Sequence, residues 1–222
     1  MDPAGLSRKQ SRKMGAPKQA RKTRRQLIAE KEAIARRRVN KANALPNPLE
    51  NLTSFHEYNQ TIKLSCMKAS DASPECISWI FDIMERNMKK LYEQSTWGWS
   101  ASEKHEELTE PGAMYLVATE KDKFVGFSHF RFDIDDKEEV LYCYELQLEP
   151  FARRKGLGRF MMSALETMAF QNEMQKVILT AFISNPSAVE FFVALGYRLD
   201  RTSPPKSEQL HYVILSKQNP HQ

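Results

Sequence analysis

The six residues Arg153-Arg-Lys-Gly-Leu-Gly158 constrain the fold more than any other segment, because they join a predicted strand to a predicted helix. A strand that turns into a helix leaves free N–H groups at the helix start, where the helix dipole attracts anions. Glycines let the backbone approach phosphate oxygens closely, and the basic side chains add positive charge. The segment therefore predicts a site for a nucleotide-like diphosphate, although a surface turn with solvated charges would use the same residues.

Two other phosphate motifs are excluded by the residues of this segment. A P-loop requires Gly-Lys followed by Ser or Thr, and that order does not occur here. The dinucleotide-binding fingerprint requires a third glycine where Met161 stands. The diphosphate site predicted here therefore belongs to neither class.

The arrangement of predicted elements changes at Pro150. Before it, alternating and apolar segments are joined by short turns such as Lys121-Asp122-Lys123 and by an acidic loop, 133–139; after it, strands and helices alternate. The predicted strands are 61–68, 114–120, 124–132, 140–148, 176–182, 197–201 and 210–216. The predicted helices are 74–94, 159–170 and 186–195. This order predicts an α+β (mixed α/β) fold with a central mixed seven-stranded sheet, a parallel pair at its centre and flanking helices.

The N-terminal part of the chain differs in composition from the rest. Residues 1–41 contain 14 Lys and Arg against 3 Asp and Glu, a balance of +11, whereas the remainder carries 19 against 25, a balance of −6. We expect a disordered basic tail at 1–17, a basic helical segment at 18–45, a catalytic domain at 46–218 and a short tail at 219–222. The helical segment has only four sizeable apolar side chains, which form a narrow docking stripe: Leu27, Ile28, Ile34 and Val39.

The remaining composition excludes several classes of protein. No apolar stretch reaches the roughly 18 residues of a membrane span, and the first 25 residues lack the apolar centre of a signal peptide, so we expect a soluble intracellular protein. Cys66, Cys76 and Cys143 show no metal-binding spacing and are expected to be reduced thiols. The histidines show no ligand spacing either, so no metal is predicted.

Two motifs together resemble the GNAT acetyltransferase superfamily. The first is Arg153-x-x-Gly156-x-Gly158 after a strand, and the second combines Asn185-x-x-Ala188, Phe191-Phe192 and Leu195-Gly196-Tyr197. The resemblance implies the GNAT acyl-CoA N-acyltransferase fold, acetyl-CoA as cosubstrate, and loop amides that hold the coenzyme's pyrophosphate. It also implies that the main chain of the preceding strand pairs with the pantetheine arm. The implied cofactor-binding residues are Gln147, Leu148, Arg153, Arg154, Lys155, Gly156, Leu157, Gly158 and Asn185.

Three longer strings resemble one branch of that superfamily, the N-alpha-acetyltransferase 40 family, also called N-terminal acetyltransferase D. They begin at Tyr92, Phe127 and Leu141 and read YEQSTWGW, FSHFRFD and LYCYELQL. That family acetylates the N-terminal serine of core histones 2A and 4, whose tails begin Ser-Gly-Arg-Gly. The implied substrate-binding residues are Trp97, Asp133, Asp135, Tyr142, Tyr144, Thr180 and Tyr212. Asp135 stands where the family is expected to have Glu. Without the resemblance, the aspartates would be a solvated hairpin tip and the aromatic residues would be sheet packing.

Glu145 is the candidate general base. An α-amine has a pKa near 8, so much of it is protonated at neutral pH and a base is needed. Glu145 lies in a predicted strand among Leu141, Cys143, Leu146 and Leu148, where loss of hydration would raise its pKa. A structural carboxylate satisfied by nearby donors is the alternative.

Direct transfer in a ternary complex is favoured over an acyl-enzyme, because Cys143 has no His/Asp arrangement near it. Backbone N–H groups near 146–148 are expected to polarise the thioester carbonyl. The family often has a tyrosine that protonates the departing thiolate, and Phe192 holds that position here.

Two other functions compete with this prediction. A lysine-directed acetyltransferase would use the same fold, and a nucleic-acid-binding module would use the basic arm. The arm also suggests nuclear as well as cytoplasmic localisation. A monomer is expected, and ribosome association stays open.

Overall fold

The computed structural model describes residues 22–221, which form one mixed sheet with helices on both faces. The strands are β1 Glu57–Tyr58, β2 Ile62–Lys68, β3 Met114–Glu120, β4 Lys123–Asp135, β5 Glu138–Leu148, β6 Lys176–Phe182, β7 Arg198–Leu199 and β8 Tyr212–Gln218. The helices are α1 Arg24–Asn43, α2 Pro74–Glu93, α3 Ala101–Thr109, α4 Leu157–Gln171 and α5 Pro186–Ala194. The predicted tail at 1–17 lies outside the described residues.

The sheet order is β1-β2-β3-β4-β5-β6-β8-β7. Every neighbouring pair is antiparallel except β5 and β6, which are parallel. The predicted mixed α+β fold with a central parallel pair is therefore confirmed. The sheet has eight strands, where seven were predicted, because the two-residue β1 adds a strand at one edge.

Local sequence signals set most helix starts. Thr23 and Gln26 form a capping box at α1. Ser73 caps α2 ahead of a proline in the first turn, and Asn185 caps α5 in the same way. These side chains accept hydrogen bonds from N–H groups that have no partner within the helix. The predicted starts of α2 and α5 are confirmed for this reason.

The predicted acidic loop 133–139 is wrong. β4 continues to Asp135 and β5 begins at Glu138, so only Asp136 and Lys137 form the turn. Both adopt left-handed conformations, with φ of 42° and 69°, as a two-residue hairpin turn requires. Aspartate tolerates this conformation, and the strands can therefore extend through a charged segment.

Helix α3 was not predicted. Its nine residues, ASEKHEELT, include five charged or titratable side chains and one large apolar residue, so no helical stripe is visible. Its buried side chains are Lys104 and Leu108, which are four residues apart and share one helix face. A buried lysine therefore occupies a position that a sequence pattern would assign to an apolar residue.

The core consists of two apolar clusters, one on each face of the sheet. The larger one includes residues of α1, α4 and α5, and the smaller one lies under α2 and α3. On α2, the buried residues share one helix face: Cys76, Ile80, Ile83 and Met84.

Only the second half of α1 packs against the sheet. Its buried residues are Ala35, Val39 and Ala42, so the predicted stripe docks at Val39 and leaves Leu27, Ile28 and Ile34 exposed. Arg38 forms ion pairs with Glu139, which is buried at the start of β5, and with Glu173. Small side chains and the ion pair between Arg38 and Glu139 thus hold the helix against β4 and β5.

Candidate active site

A cavity of about 500 Å³ opens where β5 and β6 separate. The two strands pair only from Val140–Cys143 to Lys176–Leu179. Within the described residues, the edge of β5 beyond that point has no strand partner on the side of β6. The cavity therefore lies over main-chain groups of β5 that are free to pair with an extended ligand.

A β-bulge turns Glu145 towards this cavity. His129 on β4 lies opposite Glu145, but the next residue, Phe130, lies opposite Cys143, so β5 contains one extra residue, Tyr144. Cys143 and Leu146 consequently pack in the same cluster, although they are three residues apart. In a strand without a bulge, side chains alternate strictly and Glu145 would lie on the same face as Cys143. The extra residue, Tyr144, therefore moves Glu145 to the other face.

This geometry corrects the expected surroundings of Glu145. The apolar neighbours named from the sequence all pack in the larger core cluster on the other face: Leu141, Cys143, Leu146 and Leu148. The Glu145 side chain is 5% exposed and instead faces α3 and the cavity. Its partners are Gln147, whose Nε2 donates to Oε2 at 3.1 Å, and Lys104, whose Nζ lies 3.6 Å from Oε1.

Burial raises the pKa of Glu145 to about 7, and the positive charge of Lys104 offsets part of that increase. A carboxyl with such a pKa is partly ionised at neutral pH and can accept a proton from an amine. The geometry and the pKa thus fit the predicted role of general base.

Lys104 is a site residue that the sequence analysis missed. It is 5% exposed, and its Nζ donates to the Tyr92 hydroxyl and to Glu107 Oε2, both at 2.7 Å. Burial lowers the pKa of Lys104, but the charge of Glu145, together with Tyr92 and Glu107, raises this pKa by a larger amount. The net shift is therefore upward. Lys104 therefore stays cationic beside the candidate base. The helical spacing of Lys104 and Leu108 is the only sequence signal that could have revealed it.

Two other residues of this region have limited chemical roles. Burial, with the charges of Arg131 and Lys104, lowers the pKa of His129 to about 3, so this histidine stays neutral and stacks on Tyr144. Burial raises the pKa of the Cys143 thiol to about 12. The absence of a thiolate at neutral pH argues against Cys143 as a nucleophile.

Five of the predicted substrate residues come together beside the cavity. The Tyr142 hydroxyl lies 2.7 Å from Thr180 Oγ1, and the rings of Tyr142 and Tyr144 are 4.6 Å apart. Trp97 is 50% exposed, and its ring lies 5.0 Å from that of Tyr212. These side chains form an aromatic wall that carries four hydroxyl groups, on the sheet face that Glu145 shares.

Asp133 and Asp135 lie further along the same face and do not line the cavity. They are opposite Val140 and Glu138, two and four residues before Tyr142. Asp133 accepts a hydrogen bond from the N–H of Ile134. Asp135 Oδ2 is buried without a hydrogen-bond partner among the described residues, and burial raises the pKa of this carboxyl. Asp135 is thus an acceptor without a donor.

The loop before α4 fits a diphosphate. Arg154 and Gly156 adopt left-handed conformations, with φ of 60° and 89°. No side chain within residues 22–221 caps α4, and its first turn holds no acidic residue, so the N–H groups at Leu157 and Gly158 remain available to an anion. A Cβ on Gly158 would lie 3.2 Å from Phe191, so glycine allows α5 to pack close to this turn.

The side chains around the loop hold the end of β5. Arg153 donates from Nε to the Leu148 carbonyl at 3.0 Å and from Nη2 to Asn87 Oδ1 at 2.7 Å. Asn87 also donates to Gln147 Oε1 at 3.1 Å. Arg153 therefore positions the main chain at Leu148, and the Lys155 carbonyl accepts a hydrogen bond from the Tyr58 hydroxyl. Asn185 lines the cavity while it caps α5, and Phe192 lies beside it.

Comparison with known proteins identifies the family. The Acetyltransferase (GNAT) family matches residues 80–197, which is more than half of the chain. The chain belongs to the GNAT acetyltransferase family. It is accordingly an acetyl-CoA-dependent acyltransferase.

Solved structures show the same GNAT fold. An acetyltransferase from Streptococcus agalactiae is 14% identical, with a TM-score of 0.56 over 72% of this chain and 99% of that one. The paiA N-acetyltransferase from Thermoplasma acidophilum, in complex with coenzyme A, is 14% identical, with a TM-score of 0.52 over 70% and 99%. The ribosomal-protein-S18-alanine N-acetyltransferase from Escherichia coli is 15% identical, with a TM-score of 0.52 over 71% and 94%. At these identities the likeness concerns the fold alone.

Two further observations apply to residues 22–221. No group of three or more His, Cys, Asp or Glu side chains there is arranged to hold a metal ion. No helix in that part of the chain is long and apolar enough to span a bilayer.

We predict that Lys104 sets the pH dependence of the reaction. Because Glu145 must be ionised to accept a proton, kcat/KM should rise with pH through about 7. Lys104→Met removes the charge that favours the ionised form, so the rising limb should move to higher pH. At pH 7 the rate should fall roughly tenfold, and it should recover at high pH.

The measurement is a pH profile of kcat/KM with one acceptor, so that titration of the acceptor is the same for every variant. Lys89→Met, at a half-exposed lysine paired with Glu85 on α2, is the matched control and should leave the profile unchanged. A Lys104→Met profile that coincides with the wild-type profile would contradict this role.

Proposed function

We propose that the chain acetylates the α-amine of protein N-termini, with the N-terminal serine of core histones 2A and 4 as substrate. The observation that carries the proposal is the position of Glu145, buried at a cavity whose aromatic wall leads to acidic residues on the same sheet face. A chain start of small residues would reach Glu145 while a later arginine reached the acidic residues. The tails of these histones, Ser-Gly-Arg-Gly, have that composition.

Acetyl-CoA supplies the acetyl group as a thioester. Glu145, directly or through a water molecule, accepts the proton that the amine loses as the N–C bond forms and the C–S bond breaks. The departing sulfur can take a proton from water or from the hydroxyl of Tyr92, which lines the cavity. Burial raises the pKa of Tyr92, which makes its hydroxyl a weaker acid, so water is the favoured proton donor. Phe192 has no such proton.

Asp133 and Asp135 are the proposed acceptors for the substrate arginine. A guanidinium donates several hydrogen bonds in a fixed plane and pairs well with carboxylates. The unpartnered Oδ2 of Asp135 supports this assignment, because a buried acceptor gains most from a new donor. The net charge of −6 beyond residue 41 favours a cationic peptide in the same way.

A lysine-directed acetyltransferase is the main competing function. A lysine amine has a higher pKa than an α-amine and a long apolar stem, so it requires a narrow tunnel. The half-exposed Trp97 lies at the wall of the cavity, and access from solvent at this point favours a chain start. A nucleic-acid-binding role for the basic arm would require that deletion of residues 1–33 abolish function, which the acetyltransferase reaction itself does not require. The deletion ends before Ala35, where α1 begins to pack against the sheet.

The decisive experiment uses a peptide that begins Ser-Gly-Arg-Gly and also contains lysine. We expect one acetyl group on the α-amine, located by tandem mass spectrometry after incubation with acetyl-CoA. The same peptide with a blocked N-terminus is the control and should stay unmodified. Labelling of lysine in the blocked peptide would favour the competing function.

A second prediction concerns the arginine of the peptide. Asp135→Asn keeps the size of the side chain but removes its charge, so KM for the peptide should rise about tenfold. With an alanine in place of the peptide arginine, wild type and variant should have the same KM. Asp136→Asn, at the exposed turn, is the control variant. An equal effect of Asp135→Asn on both peptides would show that Asp135 does not bind the arginine.

We also propose that the protein works in both nucleus and cytoplasm, as a monomer, with the basic arm directing nuclear entry. Arg36 and Arg37 on α1 are exposed, whereas Arg38 is engaged by Glu139 and Glu173. Replacing Arg36 and Arg37 by glutamine, together with the basic residues at 21–25, should therefore reduce the nuclear fraction of a tagged protein without disturbing α1. An unchanged distribution in microscopy would refute this role.

Ribosome association is a further proposal for the arm, tested by cosedimentation.

A further inference from the structure

The hairpin formed by β1 and β2 reaches across the phosphate-binding loop. β1 pairs with β2 through Tyr58 and Ile62, and the turn residues Asn59 and Gln60 have φ of 51° and 60°. This short edge strand was not predicted from the sequence. It places Tyr58 against the loop that precedes α4, although the two segments are 97 residues apart.

Tyr58 is held in this position by its ring and by its hydroxyl. Its ring lies 4.9 Å from the ring of Phe160 on the first turn of α4, and Phe55 packs on the same ring at 5.3 Å. Its hydroxyl donates a hydrogen bond to the carbonyl oxygen of Lys155 at 2.7 Å. The side chain therefore connects the edge of the sheet to the loop and to the helix start.

We propose that Tyr58 is a positioning residue for coenzyme A, because it fixes the peptide unit between Lys155 and Gly156. The described chain has no cis peptide bond, and in a trans peptide the C=O and N–H groups point in opposite directions. A hydroxyl that holds the carbonyl on one side therefore turns the Gly156 N–H to the other side. That N–H belongs to the group of amides at the start of α4 that would receive the diphosphate.

The glycine at position 156 is consistent with this contact. Its φ of 89° disfavours any residue with a side chain. A Cβ at this position would also collide with the Tyr58 hydroxyl. Glycine thus serves two purposes here, since it permits the left-handed turn and leaves room for the tyrosine that orients it.

The role differs from that of the loop's own residues. Tyr58 contacts the face of the loop that carries the Lys155 carbonyl and acts on the coenzyme through the peptide group. The inference depends on the use of coenzyme A and is independent of which amine receives the acetyl group. It concerns the affinity for the diphosphate, and the chemistry at Glu145 should be unaffected.

The test is Tyr58→Phe, which keeps the ring packed on Phe160 and removes only the hydroxyl. We expect the Kd of coenzyme A, measured by calorimetry, to rise about tenfold, the effect of weakening one hydrogen bond to a charged group. The KM for acetyl-CoA should rise in parallel. The KM for S-acetylpantetheine, which has no diphosphate, should stay unchanged, and so should kcat.

Tyr115→Phe is the matched control. The Tyr115 hydroxyl also donates to a backbone carbonyl, that of Leu108 at 2.6 Å, but it is buried in the other core cluster. This variant should lose stability in thermal unfolding without any change in the Kd of coenzyme A. It separates the general cost of losing a tyrosine–carbonyl bond from a specific effect on the coenzyme.

Two results would overturn the inference. One is an unchanged Kd of coenzyme A in Tyr58→Phe. The other is an equal loss of affinity for coenzyme A and S-acetylpantetheine, which would show that the hydroxyl only supports the fold. Failure of the histone peptide to react would leave these binding measurements intact, so the two proposals fail separately.

Discussion

The structure depends on how far β5 and β6 stay paired. Four residue pairs join the antiparallel strands β1–β5 to the second half of the sheet, whose strands alternate with helices along the chain. The pairing begins at Val140 and Lys176 and ends at Cys143 and Leu179. Continued pairing would satisfy the main chain of β5 but would leave no cavity. The separation gives a ligand access to backbone groups at the centre of the domain, where surrounding side chains exclude water.

The electrostatics of the site follow from that burial. Glu145 and Lys104 are both nearly excluded from solvent and lie within 3.6 Å of each other, so the charge of each depends on the other. Burial disfavours the charged carboxylate, while the lysine favours it, and the balance places the pKa near neutrality. Glu107 and Tyr92 hold Lys104 in place, so α3 helps to set the electrostatics around Glu145, which itself lies on β5.

The proposed coenzyme end of the site depends on packing between distant segments. Gly156 and Gly158 have no side chain and so leave room for close packing. The side chains of Tyr58 and Phe191 occupy that room. Asn87 on α2 and Arg153 at the loop both bind the end of β5. The loop sequence supplies free N–H groups, and its neighbours determine where those groups point.

The sequence by itself determined the fold class and most strand and helix positions, and it was enough to single out the loop 153–158 and Glu145 as candidate site residues. These features depend on the spacing of apolar residues or on turn and cap residues, so short stretches of sequence are enough to predict them. The bulge at Tyr144, the burial of Lys104 and the contact of Tyr58 with Lys155 were decided only by the tertiary structure. The bulge cannot be predicted because an alternating pattern gives no sign of an extra residue. The burial of Lys104 cannot be predicted because charged side chains are usually exposed. The contact of Tyr58 joins residues far apart in the chain, which no local pattern indicates.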